Sequence, residues 1–285
     1  GKVTTNVLTG TVVGANPTRS SNLVVANPTT FLDSKTLFIH IPPDAPSRPT
    51  LRVIVALHGM GGQGEAFASS LISEADKNGW VIIAPTITYQ NYLDTGLLSD
   101  DDMRYSRELL ATLDELPKHF AGYHLNKRAA LYGFSRGAQF AHRFALMYPD
   151  RVLSVAAMSA GAYTLPYENR LQDGKTTLLP FPFGTGDFKQ RLGQDPNYAE
   201  LKRVKFLVQV GASDNREGDV SRAFDTFIGR TRVERAASFV AALKELGVTA
   251  RLVVLPGTGH ECNAEMQKNA SNFLRESSLD ARSGD

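Results

Sequence analysis

The sequence predicts an α/β fold in which a mostly parallel central sheet carries helices on both faces. Three observations predict it. Short, continuous apolar runs such as Arg52-Val53-Ile54-Val55-Ala56-Leu57 lack a polar face, as strands buried on both sides do. Segments with helical spacing separate these runs, the alternation that parallel strand pairing requires. Breakers such as Gly79, Pro85 and Gly247 fall where one pattern gives way to the next.

The elements follow in order. Residues 1–50 read as extended structure and turns, with β-branched and aromatic content at 7–13 and at Thr36-Leu37-Phe38-Ile39-His40-Ile41. The turn-rich Gly14-Ala15-Asn16-Pro17 and Ala26-Asn27-Pro28 lie between. After the Arg52 strand, 65–78 reads as a helix ended by Gly79. Trp80-Val81-Ile82-Ile83-Ala84 is the next strand, stopped by Pro85. A long helix is expected over 100–119, with Asp100, Asp101 and Asp102 in its first turn, where negative charge suits the dipole. A strand over 128–134 precedes a helix over 136–148, and further strands are expected over 152–158 and 206–210. A helix over 233–246, a last strand over 251–255 and a final helix over 262–276 complete the pattern. The exception is 161–204, an irregular stretch rich in aromatics, Pro and Gly, of the kind that forms a lid or binding loop. No linker or repeat divides the chain, which reads as one domain over 1–285.

Composition narrows the function. With 42% hydrophobic and 21% charged residues, the chain can bury a core without a metal or a disulfide. A net charge of +2, with no basic run, argues against nucleic acid as partner. No apolar stretch approaches the roughly 18 residues of a membrane span. The lone cysteine, Cys262, rules out an internal disulfide and a cysteine-based zinc site. The start at Gly1, without Met and without a signal-peptide pattern, implies a trimmed N-terminus. Compartment stays open between cytoplasm and secretion, and so does oligomeric state.

Four motifs, each after an expected strand, carry chemistry. Gly133-Phe134-Ser135-Arg136-Gly137 is a G-x-S-x-G turn between strand and helix. Small neighbours let the turn close tightly, and the serine is then exposed at the sheet's C-terminal edge, beside the free amides of a helix N-terminus. His58-Gly59-Met60-Gly61-Gly62 is a turn able to aim a backbone N–H at a developing oxyanion. The expected donors are the amides of Met60 and Arg136, with Gly61 as substitute for Met60. In Gly211-Ala212-Ser213-Asp214, an acid just past a strand end can accept an imidazole N–H, and Asp219 is its rival on the same loop. In Pro256-Gly257-Thr258-Gly259-His260, a histidine on a glycine-flanked loop can act as the base. His58 is expected to brace its turn by hydrogen bonding. Two competing nucleophiles are weaker: Ser159 follows a strand but starts no helix, and Cys262 has no glycine elbow.

On these residues the sequence from Leu51 onward resembles the compact serine esterases of the α/β-hydrolase superfamily. The nearest groups are the dienelactone hydrolases, the acyl-protein thioesterases and the polyhydroxybutyrate-depolymerase-type or feruloyl-type esterases. The resemblance implies hydrolysis of a small-molecule or polymeric ester through an acyl-enzyme, with Ser135 as nucleophile, His260 as base and Asp214 as orienting acid. It also implies that neither metal nor organic cofactor takes part. The chain departs from dienelactone hydrolases with a cysteine nucleophile and from disulfide-bearing secreted depolymerases. Within 161–204, Tyr163 and Phe183 are the expected walls of a substrate pocket. A peptidase of the prolyl-oligopeptidase type and a catalytically inactive binding protein on the same scaffold are the alternatives.

Overall fold

A computed structural model describes residues 30–172 and 174–280, excluding the side chains of residues 172, 279 and 280. The extended segment expected over 7–13 and the turns at 14–17 and 26–28 lie outside the described residues. Among those described, seven strands form one sheet: β1 (Leu37–His40), β2 (Arg52–Leu57), β3 (Trp80–Pro85), β4 (Ala129–Phe134), β5 (Val152–Met158), β8 (Lys205–Gly211) and β9 (Ala250–Leu255). Their spatial order is β1-β3-β2-β4-β5-β8-β9. The edge strand β1 runs antiparallel to β3, and the other pairs are parallel.

Alternation along β2 explains the two-sided core. Val53, Val55 and Leu57 face one side with the interior faces of α3 (Thr95–His119), α4 (Arg136–Met147) and α8 (Arg232–Glu245). Ile54 and Ala56 face the other, under the helical segment formed by α1 (Gly64–Ala68) and α2 (Ile72–Asn78) and under α9 (Ala264–Asp280). Both faces of the inner strands β2 and β3 are covered, so their apolar runs are continuous and do not alternate.

Three expectations need correction. The helix expected over 65–78 is broken by a 3₁₀ turn, Ser69–Leu71, before α2 ends at Gly79, whose φ of 69° is the left-handed C-cap conformation. The long helix starts at Thr95, not at Asp100. Asp94 caps it, its Oδ1 accepting from the amides of Gly96 and Leu97 at 2.8 and 3.1 Å. Asp101 and Asp102 are therefore not first-turn charges and are buried. The stretch 161–204 is more ordered than expected: it forms the hairpin β6 (Asn169–Gln172) and β7 (Lys175–Leu178), followed by α5 (Phe188–Leu192) and α6 (Tyr198–Leu201). A further short helix, α7 (Asp225–Ile228), precedes α8.

Because Asp94 satisfies two of the amides that open α3, Asp94→Ala is expected to lower stability by about 1 kcal/mol, read as a lower urea midpoint at unchanged m-value.

Candidate active site

The site assembles from loops at the C-terminal ends of β2, β4, β8 and β9. Ser135 sits between β4 and α4 with φ 53° and ψ −114°, a conformation costly for a residue with a Cβ. The flanking glycines follow from how close the turn lies to its neighbours. A Cβ on Gly137 would stand 2.0 Å from the carbonyl oxygen of Leu57, and one on Gly133 would stand 2.6 Å from that of Gly137. Neither position has room for any side chain.

The structure brings Ser135, His260 and Asp214 together across 125 residues of chain. Ser135 Oγ and His260 Nε2 are 3.0 Å apart, and His260 Nδ1 and Asp214 Oδ2 are 2.8 Å apart. The imidazole, tilted against the Phe134 ring at 5.1 Å, keeps a third of its surface open to solvent, whereas Asp214 is buried. Gly211 explains how the last two loops meet: a Cβ there would lie 2.2 Å from the carbonyl oxygen of Thr258, so the loop after β8 abuts the loop carrying His260. The rival acid, Asp219, offers its main-chain carbonyl to Arg232 and Tyr92, and its carboxylate is not the one that His260 meets.

The turn after β2 lies against the serine, because a Cβ on Gly59 would be 3.3 Å from Ser135 Cβ. His58 braces it. Its Nε2 accepts from the Ile87 amide at 2.9 Å, which leaves the proton on Nδ1 to donate to the Gly59 carbonyl at 2.6 Å. Burial holds this imidazole below its ordinary pKa and therefore neutral, as that bonding pattern requires. The Met60 side chain is 45% exposed. Arg136 begins α4, where first-turn amides have no intrahelical acceptor. Its side chain turns inward, with Nη2 2.7 Å from Asp102 Oδ1 and the guanidinium 4.5 Å from the centre of the Tyr89 ring.

That inward turn exposes what the sequence concealed. Asp102 is shared by two buried arginines, Arg136 and Arg143, the latter with Nη1 2.8 Å from Oδ2. Burial depresses the Arg143 guanidinium to about 10, and Asp102 opposes that shift. Asp101, one residue earlier, accepts from both the main-chain and side-chain amides of Gln90. Arg232, which no motif flagged, donates to Asp214 Oδ1 at 2.9 Å. A signal existed for the aspartates, since Asp94 is a good N-cap followed by helical spacing, but Gly96 in the first turn obscured it. Arg232 looks like any solvated cation at the start of an amphipathic helix.

One of the two expected pocket walls lies in the core. Tyr163 is fully buried, stacked on Phe239 at 4.7 Å and beside His142 at 5.0 Å, and has no surface to offer a ligand. Phe183 is partly buried with its ring against Phe224 and Phe227, both 4.8 Å away. An aromatic-rich segment predicts that rings will be buried, not which of them reach a cleft. Neither competing nucleophile is equipped. Ser159 shares the positive φ, at 50°, but its hydroxyl is buried without a hydrogen-bond partner. Cys262 packs its sulfur 3.8 Å from Met158 Sδ, and burial pushes its thiol up, away from thiolate.

An elbow after β4, an acid after β8 and a histidine after β9 on a mostly parallel sheet can be compared with known structures. Poly(aspartic acid) hydrolase-1 from Sphingomonas sp. KT-1 superposes with a TM-score of 0.62 at 22% identity, covering 84% of this chain and 92% of that one. The chain has the α/β-hydrolase fold. Esterase PE8 (TM-score 0.55, 20% identity, 84% and 96% covered) and the Bacillus cereus carboxylesterase (0.54, 13%, 85% and 93%) share this α/β-hydrolase architecture. No protein-family model matches the sequence, and comparison with curated proteins found no match. No helix among the described residues is long and apolar enough to cross a membrane.

The contrast between two glycines tests the packing of the α/β-hydrolase elbow. Gly137→Ala forces a methyl onto the Leu57 carbonyl and is expected to cost on the order of 3 kcal/mol. Gly61→Ala, where φ is 69° but the space is open, is expected to cost about 1 kcal/mol. Thermal unfolding of the two variants side by side reads the difference.

Proposed function

We propose that the protein is a serine-dependent carboxylic ester hydrolase that works through an acyl-enzyme. The observation that carries this reading is the continuous hydrogen-bonded line Ser135 Oγ, His260 Nε2, His260 Nδ1, Asp214 Oδ2, with separations of 3.0 and 2.8 Å. It supplies a nucleophile, a base and an orienting acid in contact, the arrangement that acyl transfer needs.

In this reading Ser135 Oγ attacks the ester carbonyl carbon while its proton passes to His260 Nε2. The carbonyl oxygen takes the negative charge. The Met60 and Arg136 amides are the proposed donors to that oxyanion, each worth on the order of 3 kcal/mol in the barrier. Their placement agrees with the packing of Gly59 on Ser135 and with the start of α4 at Arg136. The C–O bond to the alcohol then breaks, and the imidazolium returns its proton to the leaving oxygen. Water, deprotonated by His260, attacks the acyl-serine, and the carboxylic acid leaves as Ser135 recovers its proton. Asp214 accepts the Nδ1–H hydrogen bond throughout and stabilises the transient imidazolium. The fold neighbours named as an esterase and a carboxylesterase agree with this chemistry without specifying a substrate.

Ser135→Ala is expected to lower kcat for p-nitrophenyl ester hydrolysis by a factor on the order of 10⁵ or more, with an unchanged melting temperature and no labelling by a fluorophosphonate probe. Parent-level turnover by Ser135→Ala would overturn the assignment. Cys262→Ala, by contrast, is expected to keep kcat within about twofold, since burial holds that thiol protonated. A collapse of activity there would reinstate the thiol as nucleophile.

A further inference from the structure

Helix α8 begins in an unusual way. Thr231 caps it, its hydroxyl accepting from the Glu234 amide while the Glu234 side chain reaches back to the Thr231 amide. The first residue inside is Arg232, a cation placed at the positive end of the helix dipole, where an acidic residue is favoured. It is also buried, with 3% of its side chain exposed. Both circumstances oppose an arginine here, so its partners must compensate. They are two: Nη1 donates to Asp214 Oδ1 at 2.9 Å, and Nη2 donates to the main-chain carbonyl of Asp219 at 3.1 Å. That same carbonyl accepts from the Tyr92 hydroxyl at 3.1 Å. One guanidinium thus ties the start of α8, the loop after β8 and, through Asp219, the segment after β3.

The Asp214 carboxylate is divided evenly. Oδ2 faces His260 at 2.8 Å and Oδ1 faces Arg232 at 2.9 Å. A carboxylate buried this deeply is costly unless it is paired and hydrogen-bonded, and Arg232 supplies a charged donor to the oxygen that His260 does not meet. A fork fixed at one oxygen also fixes the plane in which the other is presented.

We propose that Arg232 is a positioning residue of the catalytic line: it aims Asp214 Oδ2 at His260 Nδ1, and its fixed charge restrains protonation of His260. This rests on the reading of Ser135, His260 and Asp214 given above. The charge effect has a definite sign. A fixed positive charge one carboxylate away from the imidazole disfavours imidazolium, so it moves the acid limb of kcat/KM to lower pH and keeps the base available there. The other titratable and charged groups that face Asp214 and Arg232 are Tyr163, Asp219, Tyr92 and Arg235. His260 itself meets Ser135, Asp214 and the Phe134 ring, with Glu261 next in sequence. Burial keeps the Tyr163 hydroxyl protonated, which leaves Arg232 as the cation in direct contact with Asp214.

The test compares the native protein with Arg232→Gln and Arg232→Lys, measuring kcat and KM for p-nitrophenyl acetate across pH, with fluorophosphonate labelling and melting temperatures alongside. Arg232→Gln is expected to shift the acid limb upward by on the order of one pH unit and to lower the plateau kcat while KM holds. Arg232→Lys keeps the charge but not the fork, so its limb stays near the native position while its plateau kcat falls. A limb in Arg232→Gln that coincides with the native one, whatever happens to melting temperature, overturns the proposal. Should Arg232→Gln not fold, Arg232→Lys decides alone: a displaced limb, or a native plateau, overturns it. Failure of the native protein to label at Ser135 overturns the serine reading and this proposal with it. Labelling at Ser135 with an unmoved limb overturns the role of Arg232 only.

Discussion

The site depends on a main-chain contact. At Gly137 the first turn of α4 passes so close to the end of β2 that a Cβ would sit 2.0 Å from the Leu57 oxygen. This close approach fixes three things together: the helix start that leaves amides free, the turn that raises Ser135 above the sheet, and the proximity of the turn after β2. Backbone packed on backbone cannot adjust by a rotamer change, so the geometry is set before any side chain is chosen. The positive φ of Ser135 is tolerated because β4 and α4, anchored on either side, allow no other path.

Much of this was legible in the sequence because it is written in backbone constraints. The six-residue strand Arg52–Leu57 and the seven-residue strand Val152–Met158 have the bounds that continuous apolar runs imply. The glycines around Ser135 mark positions without room, and Gly211, at the end of β8, marks where that loop abuts the one carrying His260. What stayed illegible depended on tertiary choice. Gly96 inside the first turn of α3 hid the helix start, although the cap at Asp94 outweighs the propensity lost at one glycine. Tyr163 entered the core because α8 presents Phe239 to it, a partner 76 positions away that local pattern cannot reveal. Arg232 was unremarkable by type and position, and its significance comes from the carboxylate it faces.

The buried charges share a layout. Asp102 sits between Arg136 and Arg143, beneath the serine turn, and Asp214 sits between Arg232 and His260, beside it. Each places a carboxylate between two nitrogen donors in a dry setting, where desolvation is costly and breaking one contact strands a charge. Such contacts add little net stability over an apolar core of equal volume. They do restrict the surrounding loops to few arrangements, because most alternatives leave an ion unpaired. Arg136 therefore links the turn that carries the serine to α3, an element remote in sequence.

His58 and His142 are held neutral by burial, the second more strongly, and each bonds through both ring nitrogens: His58 to the Gly59 carbonyl and the Ile87 amide, His142 to the Ala138 carbonyl and the Thr164 amide. Their folded-state pKa values lie below those of the unfolded chain, so the stability they contribute is complete above about pH 6.5 and drains away as acidity rises. In mild acid the unfolded polymer takes up protons that the native core refuses. The two imidazoles thereby make acid tolerance a property of the scaffold beneath the serine, separate from the titration of the groups that would perform the chemistry.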